Sequence, residues 1–180
     1  MRFYKVHGVK IYLDHKESPM MNERAKGNYR NTLINFVKNS IKADDVFVDV
    51  GSTTGYFGLI AAKKCQKVYF VEPHPENIER IKKSIAENKF TNCEIIEAAA
   101  GNYSGKATLY EGEKSGWHST KKKSDKKFNV SAIRLDKRIS EKNLIVQIST
   151  QGSNLDVFTG LEGIINNGRA VLSDNSISHE

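Results

Sequence analysis

The 180-residue chain has only two cysteines, Cys65 and Cys93, and they stand apart. Lacking Cys-x-x-Cys spacing and neighbouring histidines, they exclude a metal site and a disulfide framework, and read as small core residues of a reducing compartment. Long apolar runs are also missing. No stretch approaches the roughly 20 residues of a membrane helix. The start, Met1-Arg2-Phe3-Tyr4-Lys5-Val6-His7, has neither an apolar core nor a small-residue cleavage site. A cytoplasmic protein without a membrane span is expected. With 38% hydrophobic and 27% charged residues, the chain is expected to bury a core as one domain, 1–180. Residues 1–27 would form an N-terminal extension, and 111–127 a polar, lysine-rich loop.

Acids are the scarcer charge, giving a net +7. Much of the excess is local, since Lys121, Lys122, Lys123, Lys126 and Lys127 fall within seven residues. Such a run is either a solvated loop or a lure for an anion such as nucleic acid, a phosphorylated sugar or an acidic carrier. No aromatic residue is interleaved with these lysines, which argues against a base-stacking platform.

Two apolar strands ending on acids dominate the rest. Val46-Phe47-Val48-Asp49-Val50 runs into Gly51-Ser52-Thr53-Thr54-Gly55, and Val68-Tyr69-Phe70-Val71 runs into Glu72-Pro73. The first glycine permits a sharp turn at a strand end, and the second lets the next helix start close to a ligand. Glu72 follows Asp49 by 23 residues, near the roughly 20-residue spacing at which an acid meets ribose hydroxyls. Ser52 stands where a dinucleotide fingerprint would have glycine, and no Gly-Lys-Ser/Thr follows, so neither a pyrophosphate wrap nor a Walker loop is favoured. Acid, loose glycine turn and second acid suit S-adenosylmethionine, which has no phosphate. Asp49 would hold the turn or meet the cofactor's cationic methionine end, and Glu72 would accept from both ribose hydroxyls.

The remaining pattern predicts an α/β fold, a mostly parallel sheet with helices on both faces. Residues 1–12 suggest a short strand or hairpin. Helices are predicted over 28–42, 56–65 and from Pro75, with strands over 93–98, 107–110, 130–135 and 144–149. A helix over 155–167 and a strand over 169–172 close the chain.

In order and spacing, these segments resemble the FkbM family of S-adenosylmethionine-dependent methyltransferases from roughly Gly27 to Asp174. The matching text is Val-Phe-Val-Asp-Val-Gly (46–51) with Gly55-Tyr56-Phe57, then Val71-Glu72-Pro73 and Pro75-Glu76-Asn77. Ala98-Ala99-x-Gly101, Gly105-x-Ala107-x-Leu109-Tyr110, Leu135-Asp136 and Gly152-x-x-Leu155-x-Val157-x-x-Gly160 follow. The resemblance implies a Rossmann-like methyltransferase fold, with Asp49, Gly51, Ser52, Thr53, Gly55, Glu72 and Pro73 around the cofactor and Glu97 and Ala98 beside the adenine. It implies O-methylation of a small-molecule or sugar-like acceptor.

Departures from the family pattern concern the acids. The family's Lys-Ile-Asp-Val-Glu-Gly-Ala-Glu stands here as Gln147-Ile148-Ser149-Thr150-Gln151-Gly152-Ser153-Asn154. Its Gly-x-Tyr-Glu corresponds to Gly27-Asn28-Tyr29-Arg30. Ser149, Gln151 and Asn154 are no bases near neutral pH and poor metal ligands, so no metal is expected. His118 and Asp136 remain as catalytic candidates. Trp117 would cover a ligand or anchor its loop, and His74 would be structural or lie near the adenosine. A degenerate member with a binding or regulatory role is the second reading. A nucleic-acid methyltransferase is the third, although no Asn/Asp-Pro-Pro-Tyr motif or catalytic Pro-Cys is present. The chain ends after about five core strands, without the usual last antiparallel pair, leaving an edge that a second copy would cover in a homodimer.

Overall fold

The computed structural model describes residues 1–112 and 117–173. Residues 113–116 of the expected polar loop, and Asp174 at the end of the resemblance, lie outside the described residues. The chain opens with an antiparallel hairpin, β1 (Arg2–Val6) and β2 (Val9–Leu13). His7 and Gly8 turn between them with positive φ, the conformation that matches the twist of a two-residue hairpin.

Two helices follow, α1 (Pro19–Lys26) and α2 (Asn31–Ser40). The sequence reading missed α1, although its punctuation is present. The Met21 N–H donates to Ser18 Oγ at 3.2 Å, Pro19 opens the first turn, and Gly27 closes the helix at φ 80°.

The core alternates from there: β3 (Val46–Val50), α3 (Tyr56–Ala62), β4 (Lys67–Val71), α4 (Pro75–Asn88) and β5 (Cys93–Ile96). After β6 (Ala99–Ala100), β7 (Gly105–Tyr110) and β8 (Lys127–Ile133) come β9 (Leu144–Ile148), α5 (Asn154–Thr159) and β10 (Gly168–Ser173). Five of these strands form one sheet in the order β10-β9-β3-β4-β5, every neighbour parallel. Residues of β3 and β9 are buried throughout, as expected of strands covered on both faces. Phe47, Phe70 and Ile145 pack against Ile34, Tyr56 and Leu59 on one face. Val48, Val50, Val146 and Ile148 pack against Leu135, Val157 and Leu161 on the other. The expected α/β fold with a methyltransferase-like parallel sheet is therefore the observed one. Among the described residues no helix is long and apolar enough to cross a membrane.

Three local expectations need correction. The helix foreseen over 155–167 stops at Thr159 and gives way to turns and a single 3-10 turn, Ile165–Asn167. Gly160 lies so close to Gly101 that a Cβ would come within 2.0 Å of the Gly101 carbonyl oxygen, so the close approach requires glycine there. The strand foreseen over 93–98 ends at Ile96, and Ala99–Ala100 joins β8 and β7 in a separate three-stranded sheet. Finally, the lysine-rich segment is not all loop: Ser119 bridges to Tyr110, and Lys127 already belongs to β8.

Candidate functional site

The chain runs outward from β3 through β4 to β5 on one side, then returns to start β9 and β10 on the other. The carboxyl ends of β3 and β9 therefore border a topological switch point, where open α/β sheets bind ligands. A cleft with about 550 Å³ of empty space, its open mouth included, lies there. The turn after β3 (Gly51, Thr53), the end of β4 (Val71, Glu72, Pro73), Ala99 and Ala100 line it, together with Leu109, His118 and the Ser149–Gln151 segment.

Gly51 is required by geometry: its φ is +75°, and a Cβ would stand 2.2 Å from the Ser149 carbonyl oxygen. The close approach of the β3 and β9 ends depends on that missing atom.

Glu72 is the acid at the cleft. It is 4% exposed. Its Oε2 accepts from the Thr53 N–H at 2.8 Å, and its Oε1 accepts from the His74 N–H at 3.0 Å and from Asn77 Nδ2 at 3.3 Å. Burial raises its pKa, opposed by those three donors and by Arg24.

Asp49 faces the opposite way, into the core under the turn. Its Oδ2 accepts from the Gly58 N–H at 3.0 Å and Oδ1 has no partner. Burial pushes its pKa up to about 7, against the pull of the Gly58 N–H and Arg24. Beside it on β9 the register places Gln147, whose two amide atoms are also buried without partners.

The other expected residues divide between lining and support. Gly51, Thr53, Glu72 and Pro73 border the cleft. Ser52 donates its hydroxyl to the Asp49 carbonyl at 2.6 Å, and Gly55 starts α3 at φ 73°. Both shape the turn from behind. Ala98 is buried just before Ala99 and Ala100, which reach the cleft in its place. Glu97 is outside the lining and pairs with Lys82 at 3.0 Å.

His118 lines the cleft, with its ring stacked on His74 at 3.9 Å and 9°. Its Nδ1 accepts from the Gly112 N–H at 3.2 Å, which leaves the proton of the neutral ring on Nε2. Burial, and then His74 and Arg80, hold its pKa down to about 4. The ring is therefore neutral at pH 7, with its acceptor nitrogen occupied, an arrangement suited to covering the cleft more than to removing a proton. Trp117 beside it is exposed.

Asp136 is not in the lining. It accepts from Arg134 at 3.1 and 2.6 Å and from the Gly163 N–H at 3.2 Å, and its pKa is lowered chiefly by Arg134. It pins the turn at Gly163. Asn77, Leu109, Ser119 and Thr120 were not foreseen. Asn77 could have been read from Pro75, which sets it in the first turn of a helix starting beside Glu72. Leu109 arrives on β7, and Ser119 and Thr120 on the segment that bridges back to Tyr110, with no local signal. Among the described residues, no group of three or more His, Cys, Asp or Glu is arranged to hold a metal.

The sequence model of the methyltransferase FkbM domain matches residues 45–174, which spans the strands and turns that build this cleft. This chain belongs to the FkbM methyltransferase family. An uncharacterized protein of Methanocaldococcus jannaschii is 40% identical over 72 residues, 40% of this chain and 28% of that protein. From the same organism, a probable cobalt-precorrin-6B C(15)-methyltransferase (decarboxylating) is 27% identical over 148 residues, 78% of this chain and 81% of that protein. The solved FkbM methyltransferase of Methylobacillus flagellatus superposes with a TM-score of 0.51 at 11% identity, over 84% of this chain and 41% of its own. At that identity the likeness concerns the fold alone. The chain thus spans well under half of the first relative and of this FkbM structure.

Proposed function

We propose that the cleft binds S-adenosylmethionine and that the protein transfers its methyl group to an oxygen of a small-molecule or sugar-like acceptor. The observation that carries this reading is Glu72, a buried carboxylate fixed by three N–H donors at the end of β4 and facing the cleft at the switch point. Oε1 already accepts two of these bonds, while Oε2 accepts one and keeps lone-pair capacity for a ribose hydroxyl. Val71, Pro73, Ala99, Ala100 and Leu109 offer the apolar walls an adenine needs, and the His118 ring would close over them. When bound, the cofactor supplies a methyl group activated on a sulfonium. The chain's part is to orient it and to exclude water.

The degenerate reading has its own support. Glu72 and His118 are the only titratable side chains among the described lining residues. Asn154, in place of a family acid, is occupied holding Thr150 at 3.3 Å and Ser173 at 3.2 Å. Calorimetry with S-adenosylmethionine and S-adenosylhomocysteine tests the cofactor step, with Glu72→Gln as control. Micromolar binding that the variant weakens supports the proposal. A folded protein that binds neither would overturn it and leave a methyltransferase fold working through partners. RNA or DNA binding that fades with salt would support the nucleic-acid alternative.

A further inference from the structure

The rim of the cleft is neutral where the family carries acids, and it adjoins the lysine run. Ser119 joins the two. Its hydroxyl donates to the Gln151 carbonyl at 2.8 Å and accepts from the Lys121 and Lys122 N–H groups at 3.0 and 3.1 Å. Thr120 Oγ1 lies 2.9 Å from Ser153 Oγ, so hydroxyls continue along the same edge. Lys121 is paired with Asp156 and Lys126 with Glu111. Lys122, Lys123 and Lys127 are exposed and have no acid within pairing distance among the described residues. A carboxylate at position 149 or 151 would repel an anion arriving here, whereas the neutral Ser149 and Gln151 do not.

We propose that the acceptor is an oxyanion, a phosphate- or carboxylate-bearing small molecule whose reacting oxygen is already ionised. This rests on the cofactor reading above. It accounts for two features together, the exposed lysines that follow Ser119 and Thr120 and the neutral side chains at 149 and 151. In transfer to an ionised oxygen, the oxygen's electron pair forms the O–CH3 bond while the C–S bond breaks and its pair returns to sulfur. The acceptor loses one negative charge, the sulfonium becomes a neutral thioether, and no proton has to leave. A hydroxyl acceptor would release one proton per turnover, and among the described lining residues Glu72 is held by three donors and His118 Nδ1 by the Gly112 N–H.

The test uses the full chain with three probes: inorganic tripolyphosphate, oligogalacturonate and a neutral oligosaccharide, each titrated by calorimetry with S-adenosylhomocysteine present. One or both anions are expected to bind and the neutral sugar not, and the tighter anion identifies the source of the charge. Combined Lys122→Gln, Lys123→Gln and Lys127→Gln should weaken the anion about tenfold, the loss of one charge-assisted contact, and leave S-adenosylhomocysteine binding unchanged. Gln151→Glu should weaken it as well. The degenerate reading expects the opposite, a gain in methyl transfer from restored acids. Absence of anion binding, or binding indifferent to both variants, would overturn the proposal. If S-adenosylhomocysteine does not bind while the anion does, the cofactor reading has failed and the anion site stands.

Discussion

Asp49 and Glu72 end adjacent parallel strands, both are buried acids, and the sequence offers them as equals. Their surroundings differ. Glu72 accepts three N–H bonds and faces the cleft, while Asp49 accepts one and leaves Oδ1 beside the unpartnered amide of Gln147. An acid at a strand end is thus a ligand group only when the turn above it opens toward solvent. Where the turn folds over, the same acid becomes a buried charge with too few partners, a costly element of the core.

The largest expected effect tests that contrast by pH. Burial raises the Asp49 pKa from its ordinary 3.8 to about 7, so the native state keeps its proton to higher pH than the unfolded chain. Its contribution is fully present below about pH 4 and is lost as pH rises toward 7, about 4 kcal/mol over the interval. Asp49→Asn should remove this loss and be more stable than the wild type at pH 8 in urea denaturation. Asparagine keeps an acceptor for Gly58 and adds an N–H donor toward Gln147. Equal stability of the two proteins at pH 8 would show that Asp49 is not the poorly partnered acid described here.

The corresponding change at the other acid should have the opposite sign. Glu72→Gln places an NH2 among three N–H donors, leaving at least one donor facing another, at a cost of about 2 kcal/mol. Affinity for S-adenosylhomocysteine should fall as well. A Glu72→Gln protein as stable as the wild type would erase the distinction between the two sites. A smaller effect is expected at Gln147. Gln147→Leu removes two unpartnered amide atoms and should stabilise by about 1 kcal/mol. It should also shrink the benefit of Asp49→Asn, because the new donor then has nothing to meet. Additive effects in the double variant would mean that the two side chains do not interact.

The contrast also explains what was legible in the sequence. The apolar runs over 46–50 and 68–71 and the spacing of Asp49 and Glu72 are local patterns, and the fold follows from them. Orientation of an acid is not local. Asp49 turns inward because Gly58 N–H stands below it, and Gly58 can approach only because it lacks a Cβ, which would otherwise lie 2.3 Å from Phe70. The pairing of Asp136 with Arg134, two residues earlier, is likewise a matter of orientation that the spacing alone does not show. Leu109 reaches the cleft on β7 and Ser119 through its bridge to Tyr110, long-range pairings that strand periodicity does not reveal.

His118 gives the smallest and most discriminating test, because it sits on the Glu72 side and titrates with the opposite sign to Asp49. Its pKa is held down to about 4 from 6.5. The neutral ring therefore contributes stability above about pH 6.5 that is lost as pH falls toward 4, and this loss overlaps the interval in which Asp49 does the reverse. His118→Phe keeps a flat ring on His74 and removes both nitrogens. As a cover, it should shift S-adenosylhomocysteine affinity by only about 0.5 kcal/mol, keep methyl transfer, and make the pH curve of Asp49 easier to see. A base in that position would instead cost about 10²–10⁴-fold in rate. Such a loss with cofactor affinity intact would return the proton to His118, and with it a hydroxyl acceptor in place of an oxyanion.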